Sequence, residues 1–112
     1  NLRFLYWSKS QSIFVAHSKS ISMNIYIDIQ KTRSTDWANA PCYGGTYMAF
    51  DELPKKGDII EHLHIVPQFA KNNPDLNNVP KGSFEVLCEP FEINSNNPFD
   101  CPHKIMVCSS DL

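Results

Sequence analysis

The chain has 112 residues, of which 42% are hydrophobic and 20% are charged, and its formal net charge at pH 7 is −2. These values predict a single folded domain with a hydrophobic core and argue against a disordered or fibrous chain. Eight lysines against only two arginines argue against a nucleic-acid-binding protein. No apolar run approaches the roughly 18–20 residues of a membrane helix.

The N-terminal segment differs from the rest of the chain in composition and in charge. Residues 1–22 carry six serines and no carboxylate, together with Phe4, Tyr6 and Trp7. Residues 1–35 have a net charge of +4, whereas residues 36–112 have a net charge of −6. We therefore predict an arm over residues 1–22 that packs on the sheet or on a partner subunit, and a single small β-rich domain over residues 23–112. The expected assembly is a homodimer or a higher homo-oligomer.

The origin of this arm has two interpretations. Met23 could be an original start of translation, with residues 1–22 derived from upstream, or the arm could be native. Ile21 and Met23 share one alternating apolar stripe across the junction, which favours a native arm.

Residues 21–30 contain the clearest element of the chain. Apolar side chains occupy every odd position, and polar side chains occupy most of the even positions. Successive side chains of a β-strand point to opposite faces, so the odd positions form one continuous apolar stripe. We predict a strand with one face on the core and the other face in water.

Three short elements follow this strand. The polar connector after it predicts one helical turn over residues 37–40, capped from residues 34–36. Residues 46–50, which follow two glycines, predict a second strand. Residues 53–58 predict a turn in which Gly57 supplies a positive φ.

Residues 59–66 fit two structures. A strand would place His62 and His64 on one face, and the β-branched content favours it. A helix capped by Asp58 would instead group the apolar side chains on one side before Pro67. We favour the strand and keep the helix as the alternative.

The C-terminal half alternates loops with strands. Asparagines and prolines predict an irregular exposed loop over residues 71–82. Residues 83–88 and 104–108 predict strands. Residues 91–93 extend the first of these past Pro90, which implies an edge strand or a bulge there.

Together these elements predict a mainly β protein, with an α+β protein as the alternative. The expected architecture is a small antiparallel sheet curled into an open barrel or half-barrel, with at most one or two short helical turns.

The four cysteines have spacings that match no compact disulfide framework and no CxxC zinc motif. With no secretory apolar segment in the sequence, we expect reduced thiols and a cytoplasmic location.

The order of turns and strands resembles that of small uncharacterised bacterial proteins from mobile elements. Its features are Leu53-Pro-x-x-Gly-Asp-Ile-Ile60, then Phe84-x-Val86, then Ile105-x-Val107, in a chain rich in lysine, asparagine and isoleucine. Proteins of integron gene cassettes and phages share this size and style. The resemblance implies a small β-barrel and names no activity.

His62-x-His64 is the one sequence pattern whose spacing indicates a metal site. On a strand, two imidazoles spaced in this way leave the same face and can share one divalent metal ion. Gly57, this pair and Gln68 resemble the first cupin motif, and Pro80-x-Gly82-x-x-Glu85 resembles part of the second. Gln68 stands where the motif has glutamate, Glu85 where it has histidine, and the Gly-to-His spacing is one residue short. The resemblance implies a cupin-like metal- or small-molecule-binding barrel with His62, His64, Gln68 and Glu85 as ligands.

Aromatic side chains give a second lead. Those that the core does not use often line a ligand groove or a subunit interface; the candidates are Phe4, Tyr6, Trp7, Trp37, Tyr43 and Tyr47. The sequence contains no nucleophile elbow and no phosphate-binding glycine loop. We therefore expect a non-enzymatic binding or interaction module that self-associates, with no cofactor and with a small molecule as a further partner. The cupin-like barrel with one divalent metal ion is the alternative.

Overall fold

The apolar stripe predicted for residues 21–30 forms strand β2 (Met23–Gln30), in which Ile25, Ile27 and Ile29 are fully buried. The structure, a computed structural model, describes residues 4–5, 22–36, 38–93 and 101–112. Ile21 lies outside these residues. The core face of the predicted strand is confirmed.

The described residues form one open, mixed sheet of seven strands in the order β1-β4-β5-β7-β2-β3, with β6 also paired to β7. The other strands are β1 (Phe4–Leu5), β3 (Cys42–Phe50), β4 (Ile59–Ile60), β5 (Phe84–Val86), β6 (Phe91–Glu92) and β7 (His103–Ser109). Two short helices, α1 (Pro67–Asn72) and a 3-10 helix (Pro74–Asn78), connect β4 to β5. The mainly β class is confirmed.

The centre of the sheet is a parallel pair of strands. β2 pairs with β7 in parallel, with Ile27 opposite Ile105, while β3 pairs with β2 in antiparallel fashion. The remaining pairs of β7, with β5 and β6, are antiparallel. The last strand of the chain therefore lies in the middle of the sheet, where its residues Ile105 and Val107 are fully buried.

The interruption at Pro90 divides one predicted strand into two. β5 pairs with the C-terminal part of β7 and β6 pairs with the N-terminal part, both along the same edge. The Leu87 amide donates to the Met106 carbonyl at 2.7 Å between them. Because proline has no amide hydrogen, it interrupts the ladder at this point, as predicted.

β3 begins at Cys42 rather than at Thr46, so the prediction that its two glycines precede the strand is wrong. Gly44 has a φ of +140°, a conformation that residues with a side chain rarely adopt. A Cβ at Gly45 would collide with the Tyr26 hydroxyl. The glycines stand inside the strand because a neighbouring side chain and the backbone conformation require them.

Neither structure weighed for residues 59–66 describes the whole segment. Only Ile59–Ile60 pair as a strand, and the helix begins later, at Pro67. Residues 61–66 run without regular structure because the backbone groups of His64 and Val66 bond to side chains of β3 instead of to a ladder.

The irregular loop predicted for residues 71–82 is also wrong in part. Residues 71–72 end α1, and the 3-10 helix follows with Leu76 buried in the core. Pro67 and Pro74 stand at the starts of these two helices, where proline is tolerated because the first amides have no intrahelical partner. The Asn73 side chain accepts a bond from the Asp75 amide and caps the 3-10 helix.

The face of β2 opposite the core is not uniformly wet, in contrast to the prediction. Lys104 Nζ lies 2.7 Å from Asp28 Oδ2, and the two side chains are only 17% and 16% exposed. The same ammonium lies 5.8 Å from the centre of the Tyr26 ring. On this face of β7, Met106 and Cys108 are buried. An ion pair and apolar side chains therefore share the second face.

Two further predictions fall partly on described residues. The carbonyl of Asp36 accepts the amides of Asn39 and Ala40 at 3.0 and 2.7 Å, which forms a single turn of the predicted kind. Of the predicted arm, the backbone of Phe4 and Leu5 pairs in parallel with Ile59 and Ile60 of the same chain. Apart from Ser22, the remaining residues of the arm lie outside the described part, so its role in assembly stays a prediction. Within the described residues, no helix is long and apolar enough to span a membrane.

Candidate functional site

A pocket of about 400 Å³ opens between the 3-10 helix, residues 61–65 and the loop that leads into β5. Leu76 and Phe84, which are 3% and 1% exposed, form its buried floor. Its walls are Leu63, Ile65, Val79 and Pro80, and its rim is His62, Lys81 and Gly82. We call this cavity the His62 pocket.

One wall of the His62 pocket is fixed by side chains of β3. The Thr46 hydroxyl donates to the His64 carbonyl at 2.9 Å and accepts from the Val66 amide at 3.0 Å. The Met48 sulfur accepts from the His64 amide at 3.4 Å. Thr46 and Met48 are buried, so these bonds hold residues 61–66 across the core face of the sheet.

The opposite wall depends on the 3-10 helix and the residues after it. The Asn73 side chain donates to the Tyr43 carbonyl at 3.1 Å and so ties the start of the helix to β3. The Val79 amide donates to the Leu76 carbonyl at the other end. Gly82 then turns the chain into β5 with a φ of +113°. The two walls are therefore anchored separately and leave the cavity between them.

Among the described residues that line the His62 pocket, Lys81 carries the only charged side chain, an ammonium. His62 adds one imidazole, and none of these residues carries a carboxylate. Glu61 precedes His62 in the chain and is not among the lining residues. In the described part of the chain, the side chains of His62 and Lys81 make no hydrogen bond or ion pair. Both side chains are exposed and can turn toward a bound molecule.

Two other cavities lie along β3. One of about 370 Å³ is lined by Tyr47, His64, Pro67 and neighbouring residues. Another of about 240 Å³ is lined by Tyr26, Phe69 and neighbouring residues. Tyr26, Tyr47, His64 and Phe69 have further interactions within the chain, so these cavities offer fewer uncommitted groups than the His62 pocket.

The four residues predicted as metal ligands lie in different surroundings. His62 lines the His62 pocket, whereas His64 lines the cavity beside Tyr47. The Gln68 side chain is exposed and donates to the Asn72 side chain at 3.5 Å. Glu85 forms an ion pair with Arg33 at 2.8 Å.

Across residues 22–36, 38–93 and 101–112, no group of three or more His, Cys, Asp or Glu side chains could hold a metal ion. The cupin-like alternative, with one divalent metal ion, stays a prediction.

Of the predicted aromatic residues, the structure describes the side chains of Tyr43 and Tyr47, which have different neighbours. Tyr43 is half-buried, with Lys31 Nζ 5.2 Å from the centre of its ring. Tyr47 packs edge to face on Phe69, with ring centres 5.8 Å apart. Neither lines the His62 pocket. The side chains of Phe4, Tyr6, Trp7 and Trp37 lie outside the described residues.

The cysteines carry free thiols, of which Cys101 and Cys108 are buried. Burial raises the pKa of the Cys108 thiol, and the nearby Arg33 guanidinium opposes this shift. Arg33 donates to Glu85 at 2.8 Å and to the Leu112 carbonyl at 2.7 Å. The thiol of Cys108 is therefore protonated and enclosed, which suits a packing role.

The sequence motifs include three residues of the pocket, His62, Pro80 and Gly82, but give no role to the others. Val79 lies in no motif, Lys81 occupies an unspecified position between Pro80 and Gly82, and the sequence predicts a polar loop around Leu76. One usable signal was Leu76 itself, an isolated large apolar residue that follows Pro74 and Asp75 as it would in the first turn of a helix.

Comparisons of the chain with protein-family models, with curated proteins and with solved structures found no match.

Proposed function

We propose that this protein is a non-enzymatic binding module that holds a small molecule in the His62 pocket. The observation that carries the proposal is the cavity itself, about 400 Å³ over the buried floor of Leu76 and Phe84. Ligand pockets in proteins have volumes of roughly 300–1,000 Å³, with mostly apolar linings and a few polar groups that fix orientation. Of the nine described residues that line this pocket, six are apolar and two carry polar side chains.

The composition of the lining favours binding over catalysis. Nucleophilic catalysis needs a hydroxyl, thiol, carboxylate or amine held by a neighbouring base, and that base is itself oriented by a third group. The described lining residues include no hydroxyl, thiol or carboxylate, and in the described part of the chain His62 and Lys81 have no side-chain partner to orient them. Both groups can contact a ligand, which is all that a binding module requires.

The test is a screen of small molecules on the full chain, followed by nuclear magnetic resonance of the backbone amides. Small aromatic and aliphatic acids, amides and amines serve as probes. We expect at least one class to shift amides of residues 62–65 and 79–84 as a group. Shifts that fall instead on residues around Tyr47, or no shift with any class, would contradict the proposal.

Self-association belongs to the same proposal as a separate property. It is supported by the +4 and −6 charges of the two chain regions. It does not depend on the His62 pocket, so its test is the oligomeric state and not ligand binding.

A further inference from the structure

We propose that the ligand of the His62 pocket is a small monocarboxylate with an apolar body, bound with its carboxylate at Lys81 and His62. This inference rests on the proposed function and specifies the chemistry of the ligand. Nothing in the sequence motifs assigns Lys81 a role; the charge, burial and size of the site point to this ligand.

The charge at the rim of the His62 pocket favours an anionic ligand. The protein as a whole has a net charge of −2, so an anion gains no general attraction from it. The rim of the pocket offers local attraction, because the ammonium of Lys81 stands there with His62 and none of the described lining residues carries a carboxylate. An ammonium forms a charge-assisted hydrogen bond with a carboxylate, and an imidazole N–H can donate a second bond.

The buried floor of the pocket favours a ligand with an apolar body. Leu76 and Phe84 are almost fully buried, and both belong to the core cluster of the domain. Val79 and Leu63 pack against that cluster from the walls. A polar ligand would lose its hydration against these side chains without gaining hydrogen bonds, whereas a hydrocarbon body gains by burial.

The size of the site limits the ligand. A volume of about 400 Å³ lies near the lower end of the range for small-molecule pockets. This fits an acid with one ring or one branched chain. A single lysine also fits one carboxylate better than a phosphate ester, whose higher charge and three oxygens favour arginine forks or backbone amides.

The experiment uses three probes with the same hydrocarbon skeleton: phenylpropanoate, phenylpropanamide and phenylpropylamine. Their dissociation constants are measured on the full chain by following the amide resonances of the pocket. We expect the acid to bind about tenfold more tightly than the amide, because only the acid gains the charged bond to Lys81. The amine should bind most weakly of the three.

Three variants assign this preference to Lys81. Lys81→Gln should weaken binding of the acid about tenfold and leave binding of the amide within about twofold. Lys81→Arg keeps the charge and should retain the preference for the acid. Lys71→Gln is the matched control, because Lys71 is exposed on α1 and does not line the pocket. It should change neither constant.

The outcomes separate the two proposals. Equal binding of acid and amide, or equal loss of both in Lys81→Gln, would overturn the carboxylate assignment and leave the binding module standing. An effect of Lys71→Gln as large as that of Lys81→Gln would overturn it too, since the net charge would then be the cause. Absence of pocket shifts with all three probes would overturn both proposals.

Discussion

The hydroxyl of Thr46 holds the wall of the His62 pocket, and its removal is the sharpest test of that arrangement. Thr46 is fully buried and makes two hydrogen bonds to one stretch of backbone, to the His64 carbonyl and from the Val66 amide. Thr46→Val keeps the shape of the side chain and replaces the hydroxyl by a methyl group. Both backbone groups then lose their partner at once.

The expected cost follows from these two bonds. Each intramolecular hydrogen bond contributes about 0.5–1.5 kcal/mol net, and a buried polar group left without a partner costs about 1–3 kcal/mol. His64 and Val66 are half-buried, so water can partly hydrate the two backbone groups that lose their hydrogen bonds. We therefore expect Thr46→Val to lower the free energy of unfolding by about 2–3 kcal/mol. This is a large fraction of the roughly 5–15 kcal/mol typical of a domain.

Urea denaturation followed by circular dichroism measures this cost, with Thr46→Ser as the matched control. Serine keeps the hydroxyl and loses one methyl group, which should cost about 1 kcal/mol. The valine variant should also weaken ligand binding, because residues 61–66 lose their anchor. If the free energy of unfolding of Thr46→Val lies within about 0.5 kcal/mol of the wild-type value, the hydroxyl does not hold the wall.

Four further results are expected. Ile27→Asp should unfold the domain, because it buries a carboxylate without a partner, and an unchanged melting curve would show that the stripe does not face a core. Asp28→Asn should cost about 1–2 kcal/mol and much less in a Lys104→Met background, since the two side chains form a partly buried pair; equal costs would exclude coupling. The free energy of unfolding should fall as the pH rises above about 8.5, the usual pKa of a thiol. Burial raises the pKa of Cys108 in the folded state, so above this pH the unfolded state releases the thiol proton first and becomes relatively more stable. Cys108→Ala should flatten that slope of unfolding free energy against pH, and an identical slope would refute the assignment. Light scattering should give a dimer for the full chain and a monomer for a chain that starts at Met23; a full-length monomer would refute the predicted assembly.

The elements that the sequence predicted correctly are those whose pattern is local. The alternation in β2 and the short apolar runs of β5 and β7 predict strands, and they do so whatever the position of each strand in the sheet. Gly57 supplies the positive φ of its turn, as expected. Pro90 interrupts pairing with β7 because a missing amide hydrogen has the same effect in any sheet.

The features that escaped prediction depend on contacts between distant residues. The parallel pairing of β2 with β7 joins the two ends of the domain, and no local pattern specifies it. The backbone of residues 61–66 avoids both strand and helix because Thr46 supplies its bonds. The glycines of β3 are explained by the Tyr26 hydroxyl and the Asn73 amide that lie against them and by the positive φ of Gly44.

The candidate site shows the same division. His62 attracted notice through its spacing from His64, but the structure places the two in separate cavities. The pocket around His62 comes instead from apolar residues of the 3-10 helix and of the loop before β5. Such residues have no motif, because their role is set by the packing of the segment between β4 and β5.

The measurement that tests the central claim most directly is probe binding to a chain whose His62 pocket is filled. Val79 lines the pocket and is half-buried, so the indole of Val79→Trp should occupy the cavity. Asn77→Trp is the control, since it adds the same group on the exposed side of the 3-10 helix, outside the lining. We predict that phenylpropanoate binds the wild type and Asn77→Trp with similar dissociation constants and that Val79→Trp folds but does not bind it. Unchanged binding by folded Val79→Trp would contradict the account.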